Sequence, residues 1–95
     1  MNQEAYKELI SAIIKKMIHI VGPVAVTIAQ KVNELKISPQ GMVIEFHGDP
    51  VRVTKNLLKE YEKIVGFVII TLAKKATEPV LKENPKLDVP KELKV

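Results

Sequence analysis

Cysteine is absent from these 95 residues, which excludes disulfides and thiolate metal sites and fits a reducing compartment. Tryptophan is absent as well, and the aromatic set is only Tyr6, Phe46, Tyr61 and Phe67. With 46% apolar residues, a core must be built from Ile, Val, Leu and Ala, which suits close helix packing and leaves few flat rings to stack on bases. The glycines stand singly at 22, 41, 48 and 66, so there is no Gly-rich phosphate loop. A nucleophile elbow, an HExxH motif and paired carboxylates in an apolar setting are missing too. A non-enzyme is therefore expected, with no catalytic residue, no metal and no cofactor.

Long apolar runs are also lacking. The longest without charge, Met17 to Ala29 and Ile64 to Ala73, have 13 and 10 residues, short of the roughly 20 that a spanning helix needs. They are expected to be core segments, with no membrane partner. The opening MNQEAYKE is polar and no cleavage pattern follows, so no signal peptide is expected and a cytoplasmic location is. Neither sign of charge forms a long block. Fifteen basic and 11 acidic residues are interleaved at a net +4, the pattern of a solvated surface more than of a nucleic-acid footprint. The Lys-, Glu-, Ile- and Val-rich make-up also fits a thermophilic source.

What is present is helical periodicity. Ala5, Leu9, Ala12, Ile13, Met17 and Ile20 recur at steps of three and four opposite Glu4, Glu8, Ser11, Lys15 and His19, which predicts an amphipathic helix from Gln3 to Ile20 capped at Asn2 or its neighbour. Gly22-Pro23 then either breaks or kinks it, and the pattern resumes through Val24, Ile28, Val32 and Leu35. Lys36 to Gly41 is expected to turn, and Met42 to Phe46, with residues alternating between two faces, to form one short strand. His47 to Pro50 permits a hairpin, but an N-cap at Asp49 with Pro50 in the first turn is preferred, because helical spacing follows at once. That helix is expected to run straight from about Pro50 to Thr77, roughly 40 Å. Pro79, Pro85 and Pro90 space a tail over 79–95, with at most one short turn around Val80 to Asn84 and an extended stretch after it, in which Leu87, Val89 and Leu93 are available to lie along a groove.

Two stretches repeat. IVGPVAVTIAQK (Ile20 to Lys31) and IVGFVIITLAKK (Ile64 to Lys75) lie 44 positions apart, and aligning 13–35 with 57–79 gives nine identities in 23 positions, the glycines at 22 and 66 among them. An internal repeat from duplication is expected, with the small residues Gly22, Ala25, Ala29, Gly66 and Ala73 permitting close approach. Phe67 to Ile70 is apolar on every side, so neighbours are wanted all round. The expected object is one mainly α domain over 1–95, with two long helical units and a short strand between them, completed as a helical bundle by homodimerisation. Gly22, Pro23, Ala29, Gly66, Phe67 and Ile70 are the candidate interface residues, and protein interaction or regulation is the expected role.

Two alternatives have named residues. Arg52, Lys55, Lys59 and Lys63 form a basic stripe able to follow a phosphate backbone, with no aromatic or amide side chain expected beside it for base contact. An apolar pocket at the Gly22-Pro23 kink, with polarity from His19 or Thr27, would instead make a small-molecule sensor. His47, between Glu45 and Asp49, is a further ligand candidate.

Overall fold

A computed structural model describes residues 3–94. The expected cap at Asn2 lies outside the described residues. Helix α1 (Gln3–Val21) buries Ala5, Tyr6, Leu9, Ile10, Ser11, Ile13, Ile14 and Met17, a wider face than expected. Ser11, expected on the polar stripe, is buried where its hydroxyl accepts from Val43 N at 2.9 Å, and Ile20, expected on the apolar face, is half exposed. The helix ends because Gly22 takes φ +81°, a left-handed conformation that only glycine adopts without strain. The Gly22 N–H still donates to the Ile18 carbonyl at 2.8 Å, and α2 (Val24–Ala29) starts directly after Pro23. The first unit is thus broken rather than kinked.

Residues 35–46 form a hairpin: the expected strand is there, and the expected turn is shortened to about 38–41 by a second strand that precedes it. Strand β1 (Leu35–Ile37) pairs antiparallel with β2 (Val43–Phe46), in the register Leu35 to Phe46, Lys36 to Glu45 and Ile37 to Val43. Ile44 has no place in that register, so it is a bulge, and it resets which side chains face inward. Val43 and Phe46 are both buried, while Met42 and Ile44 face out, which simple alternation does not allow. The turn lies against α1: a Cβ added at Gly41 would come within 2.7 Å of Ile18 Cδ1 and 3.1 Å of Ile14 Cγ2.

Helix α3 (Pro50–Val65) starts as the sequence expects, with the Asp49 carboxylate accepting from Val51 N at 3.0 Å and Pro50 in the first turn. It does not run straight to Thr77. Gly66, at φ +73°, ends it, and a separate helix α4 (Val68–Glu83) follows Phe67. Proline is therefore not what breaks these units, since the second break has none; the shared glycine is. Helix α4 also passes through Pro79, where the tail was expected to begin. A proline forfeits one backbone bond, and the half-buried Val80 and Leu81, packed on the core, hold the helix together beyond it. Asn84 closes it by donating Nδ2–H to the Val80 carbonyl at 2.9 Å. The tail then folds back, burying Val89 and, from a single 3-10 turn at Lys91–Leu93, Leu93.

Three contacts fix how these pieces lie. At 19 residues α1 is about 28 Å long, close to the full 31 Å of the molecule, so its ends mark the two ends of the protein. At its start, Tyr6 meets Phe46 edge-on with centroids 6.4 Å apart and donates its hydroxyl to the Asp88 carbonyl at 2.8 Å. This base also holds the start of α3, which follows Phe46 by four residues. At the far end, Tyr61 of α3 donates to the Ala25 carbonyl of α2 at 2.8 Å. Helices α1 and α3 therefore run in the same direction, and α4 returns antiparallel, packed chiefly on α1. Both glycine joints consequently lie at the same end. No helix among the described residues is long and apolar enough to cross a membrane.

Candidate functional site

The end carrying the two joints is where the molecule leaves apolar side chains uncovered. Ile20 and Val24 flank the first joint and Ile64 and Val68 the second, each about half exposed, and Phe67 between the latter pair is 84% exposed. Met42 and Ile44, on the hairpin, are the other large apolar side chains exposed among the described residues. The clustering follows from chain geometry. Each glycine turns the backbone sharply: Val21 and Val65, directly before the two glycines, still pack on the core, while Ile20, Ile64 and the residues that follow the glycines face outward. A Cβ added at Gly22 or Gly66 would meet nothing within 4 Å, which places both bends on open surface.

Part of the backbone of these bends is satisfied from within. The Gly22 and Pro23 carbonyls accept from Ala25 N and Val26 N, each at 3.0 Å. The Gly66 and Phe67 carbonyls accept from Ile69 N and Ile70 N at 3.2 and 3.0 Å. Neither pentapeptide, Ile20 to Val24 or Ile64 to Val68, contains a side chain able to hydrogen-bond. The charge around them is mostly positive. Residues 12–33 and 63–77 contain Lys15, Lys16, Lys31, Lys63, Lys74 and Lys75 and no carboxylate, leaving nine cations against all 11 acids in the rest of the chain. The nearest acids are Glu60, paired to Lys63 at 3.2 Å, and Glu62.

Of the interface candidates, Gly22, Pro23, Gly66 and Phe67 come together at this end, Ile70 is half-buried one turn along α4, and Ala29 belongs to the chain's own core. Ile20, Val24, Ile64 and Val68, expected to lie in core segments, are instead half exposed, because both helical units break at their glycines. The signal for them was available: they occupy identical places around the two glycines.

The basic stripe Arg52, Lys55, Lys59 and Lys63 is exposed along α3. Lys59 and Lys63 join Lys31, Asn33, Glu34, Asn56 and Glu60 in a shallow groove of about 260 Å³ between α3 and the chain leaving α2. Two amides therefore do lie beside the stripe, contrary to expectation. His19 and Thr27 are exposed and no walls close over the first joint. His47 Nε2 is 3.9 Å from Glu45 Oε1, both exposed, while the Asp49 carboxylate is engaged as the cap of α3. No three His, Cys, Asp or Glu side chains among the described residues converge as a metal site would need. The titrating groups that the fold does perturb are structural. Burial pushes the Tyr61 phenol well above its ordinary range, and burial together with the Asp88 charge raises that of Tyr6.

Compared with protein-family profiles, curated proteins and solved structures, the chain matches none.

Proposed function

We infer that this chain is a small non-enzymatic docking module whose working surface is the apolar end. The observation that carries the reading is the joint exposure of Ile20, Val24, Ile64, Phe67 and Val68 at the two joints, where five of the seven large apolar side chains exposed among the described residues lie. Single exposed apolar residues are ordinary; five gathered at one end mark a contact surface. Duplication of one helix–glycine–helix unit, 13–35 and 57–79, explains how the same apolar bend came to be presented twice. Homodimerisation, the assembly the sequence favours, is one occupant for this end.

The test is the double variant Phe67→Glu, Val68→Glu, followed by circular dichroism, retention on a phenyl matrix and light scattering. The helical signal should persist, retention should collapse, and any assembly should fall to the 10.6 kDa monomer. Retention and mass equal to the parent's would remove this end as the working surface. A parent that already scatters as 10.6 kDa at high micromolar concentration would remove the homodimer alone.

A second reading rests on the α3 groove, where Asn33 and Asn56 supply amides beside Lys31, Lys59 and Lys63. Amides and lysines together can contact both bases and phosphates of a nucleic acid. Fluorescence anisotropy with a labelled oligonucleotide should then show affinity that falls with salt and with Lys59→Glu, Lys63→Glu. Affinity indifferent to both sinks this reading.

A further inference from the structure

We propose that the apolar end docks on an anionic lipid bilayer, with Phe67 and its four aliphatic neighbours seated in the interfacial layer and the surrounding lysines against headgroup phosphates. The proposal rests on the docking reading above and names the partner.

Three features of this end favour lipid over other occupants. The first is charge. Six lysines and no carboxylate lie in the two segments that carry the end, although the rest of the chain is net acidic. Lys16 precedes Ile20 by one helical turn and Lys74 follows Val68 by under two, while Glu62, two residues before Ile64, and Glu60, paired to Lys63, are the acids nearest the cap, so the balance beside it is positive. That balance complements anionic headgroups. Two copies meeting end to end would instead set lysines against lysines, which opposes that contact at low salt.

The second feature is the lack of polar side chains from Ile20 to Val24 and from Ile64 to Val68. Specific protein interfaces carry about one hydrogen bond per 100–200 Å². These ten residues have no side chain with which to make one, whereas acyl chains ask for none.

The third is the backbone. Irregular chain is tolerated near hydrocarbon only where its polar groups are satisfied. Here the Gly22 and Gly66 N–H groups and the Gly22, Pro23, Gly66 and Phe67 carbonyls all have internal partners between 2.8 and 3.2 Å. The bends can shed water from these groups, while the N–H groups of Val24, Phe67 and Val68, which have no partner among the described residues, hold the contact to the hydrated headgroup layer. Spanning is a different demand, and none of the described helices meets it; the proposed contact is shallow and reversible, by one end of a folded domain.

The chain has no tryptophan, so Phe67→Trp in the full chain gives a single reporter at a position whose exposure makes the change harmless to packing. With phosphatidylcholine vesicles containing phosphatidylserine, its emission should shift to the blue and be quenched by brominated acyl chains. Phosphatidylcholine alone should give neither. Partition should fall about tenfold or more when salt is raised from about 0.1 M to about 1 M, and likewise in Lys74→Glu, Lys75→Glu. Ile64→Ser, Val68→Ser should weaken it by about tenfold or more with an unchanged circular dichroism spectrum. Absence of binding to the anionic vesicles, or binding without quenching by bromine, overturns the lipid proposal. If vesicles are ignored while the parent forms a Phe67-dependent dimer, the docking reading stands with a second copy as occupant. If neither assay responds to Phe67, both fall.

Discussion

Tyr61 ties the second half of the chain to the first. Its ring is fully buried and its hydroxyl reaches the Ala25 carbonyl from 36 residues away, so one side chain both fills the core and holds the two joints at the same end. Tyr61→Phe keeps the ring and leaves that carbonyl without its partner, which should cost about 1 kcal/mol in a denaturant titration. The same residue makes the fold sensitive to alkali. Burial raises its phenol above the ordinary 10.0, so the folded chain holds the proton more tightly than the unfolded one. The resulting stability is intact below pH 10 and is lost as pH rises beyond it. Tyr6 is raised in the same direction and adds to the effect. Stability measured from pH 8 to 11 should fall at the upper end, and less steeply in Tyr61→Phe; a flat profile would contradict the burial seen here. Gly66 is the second residue on which the arrangement turns. At φ +73° and ψ −157° it occupies a region essentially closed to other residues, with open space around it. Gly66→Ala should therefore cost about 1–3 kcal/mol through backbone strain alone, unless α3 and α4 fuse, which a rise in helical ellipticity would reveal.

At the scale of elements, the sequence made some features legible and concealed others for physical reasons. Helix α1 and the Asp49–Pro50 start of α3 were readable because periodicity and capping are local. Strand β1 was not, because Leu35 to Ile37 become a strand only through pairing with β2, and Ser38, Pro39 and Gly41 dominated the local signal. The bulge at Ile44 was concealed for the same reason. The break at Gly66 was misread because an isolated glycine is often tolerated in a helix, and Phe67 lacks the obvious obstruction of Pro23. The alignment of Gly66 with Gly22 held the answer. Of the site, the glycines and Phe67 were visible from the repeat, while the gathering of both bends at one end depended on Tyr6, Tyr61 and the return of α4. The tail was legible in part. Its spaced apolar residues suggest a groove contact, and Leu93 is 1% exposed and Val89 buried, but α4 runs on through Pro79 where the tail was expected to begin. Leu93→Ala should lower stability by about 2–4 kcal/mol, a core-sized loss, measured by denaturant unfolding. A loss under about 0.5 kcal/mol would mean that the tail does not close the core.

At the scale of the whole molecule, charge is distributed by position rather than by number. A net +4 is modest, but with all 11 acids outside residues 12–33 and 63–77 the positive field concentrates on the half that also carries the apolar end. Two opposing effects of salt follow. Screening weakens exposed ion pairs such as Lys7–Glu4, Lys63–Glu60 and Lys82–Glu78, and it relieves repulsion among the lysines of the acid-free segments. Magnitudes decide between them. Exposed helix pairs are worth about 0.3–0.5 kcal/mol each, and many contribute nothing measurable, while repulsion acts among the five lysines of these segments other than Lys63, which Glu60 pairs. Sodium chloride should therefore raise the Tm of the free protein. Lys15→Glu, on an exposed position of α1 more than a turn from its end, should raise it by about 2 °C at low salt and shrink the gain from added salt. A Tm that falls with salt would show that the ion pairs outweigh the repulsion. The concentration of like charge would then be too weak to stabilise the protein against an anionic surface. A Tm that rises with salt fits a protein that holds strain at one end, and an anionic partner there would relieve that strain on contact.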